Sequence, residues 1–156
     1  MRPGTRLGID VGRARIGVAR CDPHAVLATP VETVQRAADG DADIRRIVEI
    51  ATELEAIELV VGNPLSLSGS STASTLDAVG FAERLAEAIR VPVRLVDERL
   101  STVTAQQALR AAGRKAKAQR PVVDQAAAVV ILQHAIDAER AAGAPPGVVV
   151  PSNEGS

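Results

Sequence analysis

The stretch Leu7–Ala19, LGIDVGRARIGVA, decides the fold: two short apolar runs flank a turn, and a carboxylate stands inside the first. Side chains alternate along a strand, so Leu7, Ile9 and Val11 share one face while Gly8, Asp10 and Gly12 share the other. The first face is core, and the second is a bare strip carrying one acid. Aspartate is depleted in strands, and a charge in apolar surroundings is costly without a partner, so Asp10 needs a reason. The plainer reading is that it bonds backbone amides in the following turn. Working outward, Thr5–Val11, Arg15–Cys21 and Ala28–Val34 are rich in Val, Ile and Thr between Gly, Asp, Pro and His, which predicts an antiparallel three-stranded meander.

With 156 residues the chain suits one domain, read here as residues 1–143 followed by a flexible tail, 144–156. Hydrophobic residues make up 46% but aromatics only 1%, so Val, Ile, Leu and Ala build the core and no aromatic platform exists for stacking bases. A net charge of -1, from 18 basic and 19 acidic residues, confines any basic surface to a local patch. One cysteine, Cys21, excludes an internal disulfide and a multi-cysteine zinc site. No apolar signal core or membrane-length run is present, so a cytoplasmic protein without a membrane partner is expected.

Beyond the meander, Ile44, Ile47, Val48, Ala51 and Leu54 recur at helical spacing behind several aspartates able to cap. Glu58–Gly62 reads as a buried strand, Ser74–Arg90 as a helix and VPVRLVDE, residues 91–98, as a further strand. A helix over Thr102–Ala112, with Thr104 and Gln107 as a capping box, precedes a basic loop and a strongly apolar helix from Pro121 to Ala142. Antiparallel strands followed by alternating strand and helix predict an α/β mixed sheet covered by helices.

Two more acids stand where apolar elements end. Glu98 closes a strand and has Arg94 and Val96 on its face; Asp124 opens a helix whose i+3 and i+4 positions are Ala127 and Ala128. Alone, the Asp97–Glu98–Arg99 cluster is an exposed salt-bridged turn, and Asp124 is an acid favoured by the helix dipole. Together, Asp10, Glu98 and Asp124 can reach one sheet edge. Each pair of charges at about 4 Å would repel by roughly 4 kcal/mol at an effective dielectric of about 20, so such a cluster needs cations. Carboxylates without Cys or a matched His pair suit Mg²⁺ or Mn²⁺.

GIDVGRARIGVA, VVGNPLSLSGS, VDERLSTVTA and VDQAAAVVILQ, in this order, resemble the motifs of the YqgF family, also called RuvX, of ribonuclease H-like bacterial proteins; the resemblance runs from Arg6 to Ile136. It implies a ribonuclease H-like fold, a five-stranded mixed sheet whose first three strands are antiparallel, with helices on both faces. It also implies an acidic metal-binding triad, which falls on Asp10, Glu98 and Asp124, and a role in maturing the 16S rRNA precursor. The stretch Asn63–Thr75, NPLSLSGSSTAST, departs from the family form, which carries Asn, Met or Asp just before the glycine, where Leu65–Ser68 stand here.

The loop Gly113–Arg120 holds Arg114, Lys115, Lys117 and Arg120 and no acid. As an isolated charge run it is a solvated loop; beside a metal site it becomes a phosphate clamp, to which Arg99 adds, while Arg13 and Arg15 in the first hairpin turn read equally as part of that clamp or as ordinary hairpin decoration. His134 lies about 80° around the helix from Asp124 and is no fourth ligand. His24 and Cys21 read as structural.

The leading reading is a metal-dependent nuclease acting on structured nucleic acid, with Asp10 bridging two ions while Glu98 and Asp124 complete their shells for in-line displacement. A second reading keeps the chemistry but makes the substrate a four-way DNA junction, which demands a homodimer. A third is a nucleic-acid-binding factor without catalysis. An actin-like ATPase shares the GIDVG opening but needs a longer chain.

Overall fold

In a computed structural model the structure describes residues 3–38, 40–63, 73–97 and 120–150, of which 73, 74, 97 and 120–124 are described by backbone alone. The meander is β1 (Arg6–Val11), β2 (Arg15–Cys21) and β3 (Ala28–Gln35). Then follow α1 (Ala42–Glu53), β4 (Glu58–Asn63), α2 (Ala73–Ala88), β5 (Val93–Asp97), α3 (Arg120–Ala142) and β6 (Val148–Val149). The sheet order is β3-β2-β1-β4-β5-β6. β1 pairs antiparallel with β2 and parallel with β4, β2 pairs antiparallel with β3, and β5 runs parallel to β4. The expected mixed sheet with an antiparallel first half is therefore present.

Strand alternation sorts the side chains into two layers. Leu7, Ile9, Ile16, Val18, Leu59 and Val61 face α1 and α2, where Ile44, Ile47, Ile50, Phe81 and Leu85 close over them. Each fully buried aliphatic side chain there contributes about 1.5–3 kcal/mol, so the core holds with Phe81 as its one aromatic. The opposite face packs small residues, Ala19, Ala25, Ala28, Val60 and Val96, against Ala128, Leu132, Ala135 and Ile136 of α3. Gly8 brings the two surfaces into contact, since a Cβ there would lie 2.6 Å from Leu132 Cβ and 2.7 Å from the Ala128 carbonyl oxygen. The outer strand β3 bulges opposite Val18/Ala19 beside Pro30, which disfavours pairing with another chain.

Several expectations shift. A sixth strand joins the five expected: Val148–Val149, in the segment read as a flexible tail, pair antiparallel with Arg94 and Leu95. Gly147 makes this fit, because its φ of +78° is left-handed and a side chain there would overlap the Leu95 carbonyl; Val150 is then buried and donates to the Val93 carbonyl at 2.8 Å. At α1 the N-cap residue Asp41 makes no capping bond, whereas the buried Asp43 accepts from Ile44 N–H at 2.8 Å and Ala37 N–H at 3.2 Å. The helix expected over Thr102–Ala112 and its Thr104–Gln107 box lie outside the described residues.

Candidate active site

Asp10 pairs with Gly17 across the first hairpin and is half-buried on the face that α3 covers. Ile9, Val61 and Leu95 form one row across the parallel strands, so the next row along those strands holds Asp10, Gly62 and Val96. Glycine thus stands beside Asp10 on both neighbouring strands and two positions away on its own, at Gly8 and Gly12. The strip inferred from the sequence extends sideways into a floor without side chains around a single carboxylate.

The direction of α3 follows from three contacts. Glu139 accepts from the Arg6 guanidinium at 3.2 Å, Gln133 Oε1 accepts from Ala28 N–H at 2.8 Å, and Gln125 Nε2 donates to Thr33 Oγ1 at 3.1 Å. Arg6 starts β1, while Thr33 pairs with Gly17, which pairs with Asp10. The helix therefore runs antiparallel to β1 and begins over the row that contains Asp10. The backbone of Asp124, one residue before Gln125 and one turn before Ala128, lies at that row. Glu98 lies outside the described residues and directly follows Asp97, which pairs with Asn63 at the same edge of the sheet. In sequence it is in phase with Val96, on the α3 face, rather than with Leu95 on the other.

Among the described residues no group of three or more His, Cys, Asp and Glu side chains is assembled; the side chains of Glu98 and Asp124 are not among those described. What is described fits a hard cation: a carboxylate oxygen donor and, on the same face of the sheet, space kept by Gly17 and Gly62. Of the basic candidates, Arg13 is exposed in the β1–β2 turn and Arg15, the first residue of β2, is half-buried. Arg120 is the first residue of α3, described by backbone, and Arg99, Arg114, Lys115 and Lys117 lie outside the described residues.

Sequence reading missed Arg36. Its N–H donates to the Ala14 carbonyl at 3.0 Å and its Nη1 to the Gly12 carbonyl at 2.8 Å, so it grips the turn after Asp10 twice. The guanidinium also meets Asp77 through two bonds of 2.9 and 3.1 Å. The Arg36 hydrogen bond holds the Asp77 carboxyl below the usual carboxylate range, and the charges of Arg36 and Arg13 act in the same sense. No local pattern announces a pair whose members stand 41 residues apart.

His24 and Cys21 lie at the far end of the sheet. His24 donates its backbone N–H to Asp22 at 3.1 Å, and Cys21 is buried, its thiol pushed up by burial against the opposing pull of the Arg6 N–H. No described helix is long and apolar enough to cross a membrane.

Residues 4–138 match the model of the RuvX family, described as Holliday junction resolvase. A relative from Clavibacter michiganensis, named "Putative pre-16S rRNA nuclease", is 66% identical over 98% of this chain and 95% of its own length. A relative of the same name from Streptomyces coelicolor is 55% identical over 94% of this chain and 88% of its own. Among solved structures, Thermus thermophilus RuvC in complex with Holliday junction substrate superposes with a TM-score of 0.54 at 16% identity, covering 92% of this chain and 99% of that one. At that identity the likeness shows the fold, which is ribonuclease H-like. The match of one family to nearly the whole chain, with relatives at this identity over almost their full length, shows that the chain belongs to the RuvX family.

Proposed function

We propose that this chain is a divalent-metal-dependent nuclease that processes the 16S rRNA precursor in the cytoplasm, with residues 1–143 and the edge strand Val148–Val149 as its nuclease domain. One observation carries the reading: the ends of β1, β4 and β5 and the start of α3 meet around the Asp10 carboxylate on a floor of glycines. Membership of the RuvX family and the names of the relatives support it.

Asp10, Glu98 and Asp124 are the residues that hold Mg²⁺ or Mn²⁺. When bound, the metal supplies Lewis-acid stabilisation of the scissile phosphate and acidifies water for in-line displacement. The chain's own residues do the rest. Asp10 would offer its carboxylate to the cation from a strand rather than a loop, which keeps the donor within the fraction of an ångström that catalysis requires, and Glu98 and Asp124 would complete the set. Gly17 and Gly62 leave room for a phosphodiester backbone to approach the sheet. Arg13, Arg15, Arg99, Arg114, Lys115, Lys117 and Arg120 supply the positive charge that holds flanking phosphates. With no aromatic platform, recognition is by shape and backbone.

The family description, Holliday junction resolvase, favours one rival substrate, a four-way DNA junction, whose two coordinated cuts would call for a homodimer. The test is cleavage of a labelled 16S precursor RNA and a labelled four-way junction by purified protein in Mg²⁺, Mn²⁺ or chelator. Metal-dependent cuts in the RNA support the proposal; cuts confined to the junction replace the substrate, and binding without cuts in either reduces the chain to a binding factor.

A further inference from the structure

The turn that follows Asp10 is short, and its residues Arg13 and Ala14 are exposed. Gly12 has no side chain with which to anchor itself; its N–H bonds to the Arg15 carbonyl at 2.9 Å. Among the described residues Arg36 ties this turn to the body of the protein; it follows β3 and reaches the turn from the α1/α2 layer, the face of the sheet opposite α3.

The contacts of Arg36 use the shape of a guanidinium and not merely its charge. Nη1 is shared between the Gly12 carbonyl and Asp77 Oδ2, Nη2 bonds Asp77 Oδ1, and Nε lies 3.6 Å from Asp43 Oδ2. The plane sits over the Phe81 ring at 5.2 Å from its centroid. Asp77 and Phe81 belong to α2 and Asp43 to α1, and Asp43 is itself fixed by the N–H groups of Ala37 and Ile44. One residue therefore locks the end of β1 to both helices of that layer. A lysine keeps the charge but offers one point donor in place of the planar fork.

We propose that Arg36 is a positioning residue for the nuclease site: through the Gly12 and Ala14 carbonyls it fixes the turn, and so holds Asp10 and Arg13 where metal and phosphate must meet. The inference rests on the reading of Asp10 as a metal ligand. Asp10 lies two residues from Gly12 along a strand that transmits a displacement, and supporting contacts of this kind set metal affinity as the direct ligands do.

The test is Arg36→Lys, with Arg46→Lys as a matched control, since Arg46 also makes two bonds to one carboxylate, Glu32, at 2.9 and 2.8 Å but touches no part of the turn. Mn²⁺ affinity is measured by titration calorimetry, and kcat and KM are measured on a labelled 16S precursor RNA. Arg36→Lys is expected to weaken Mn²⁺ binding and lower kcat by about 10- to 100-fold with KM unchanged, whereas Arg46→Lys changes none of these. Should Arg36→Lys fail to fold, Asp77→Asn releases the same fork and is expected to move Mn²⁺ affinity and kcat in the same direction by less. A lowered melting temperature with Mn²⁺ affinity and kcat intact would reduce Arg36 to a structural role. A raised KM with kcat intact would make it a substrate contact instead. Asp10→Asn, run in parallel, separates the two failures: if it loses Mn²⁺ while Arg36→Lys keeps it, the positioning role alone falls; if it too keeps Mn²⁺, the metal reading falls and takes the positioning role with it.

Discussion

Gly8→Ala probes the contact that sets α3 on the sheet. The added Cβ would stand 2.6 Å from Leu132 Cβ and 2.7 Å from the Ala128 carbonyl, where ordinary contact begins at 3.4 Å. The helix must retreat by about 0.8 Å, the shortfall between 2.6 and 3.4 Å, because its backbone carbonyl cannot turn aside. Overpacking of this kind costs about 1–3 kcal/mol. For a chain of this size that is a fall in melting temperature of roughly 3–10 °C. The second consequence is larger. The backbone of Asp124 lies one turn from Ala128, so the same retreat separates it from Asp10, and a misplacement near 1 Å costs about 100-fold in rate. Thermal unfolding and single-turnover cleavage of a labelled 16S precursor RNA, on the same preparation, read both. A variant that melts and cleaves like the wild type would refute the contact; one that melts lower but cleaves normally would refute the link from helix to site.

Removing one member of the buried pair Arg6–Glu139, whose side chains are 1% and 6% exposed, leaves an uncompensated charge, so Glu139→Ala is expected to cost about 3–5 kcal/mol in urea unfolding. A loss below about 1 kcal/mol would place that pair in effective contact with water. Asp77 and Glu32 are held below the ordinary carboxylate range by hydrogen bonds from Arg36 and Arg46. The unfolded chain therefore takes up their protons first, so the stability they contribute is complete above about pH 5 and is lost as pH falls through their lower folded values. Asp77→Asn and Glu32→Gln should each flatten the acid limb of a melting-temperature profile, and an unchanged limb would contradict the assignment.

The sequence made the sheet and its helices legible because each element has a plain period: two in Leu7–Ile9–Val11, and three or four in Ile44–Ile47–Ala51. The carboxylate on its bare strip was legible for the same reason, since a glycine at every second position has no place in a packed strand. What lay beyond the sequence is what depends on long-range packing. Glycine at position 8 announces close approach, but only the placement of Leu132 and Ala128 shows what approaches. The several aspartates around the start of α1 are interchangeable as caps in sequence; in the structure the N-cap Asp41 makes no capping bond, and the buried Asp43 of the first turn accepts from Ala37 and Ile44 instead. The stretch GAPPGVVVPSNEGS reads as a flexible tail, yet the two residues of β6 within it take their structure from Arg94 and Leu95. Arg36 and Asp77 belong to no motif, because their fork is built by two elements meeting across the sheet's end.

The most direct test of the account is the rate of metal-dependent cleavage of a 16S precursor RNA by Asp10→Asn, which keeps the shape of the side chain and removes its charge. Asp10 is the carboxylate around which the strand ends and α3 converge, and the substitution leaves the glycine floor and the basic residues in place. The account predicts a folded protein that still binds the RNA and whose cleavage in Mg²⁺ falls to the level the wild type shows in chelator. Cleavage by Asp10→Asn at the wild-type rate would contradict it.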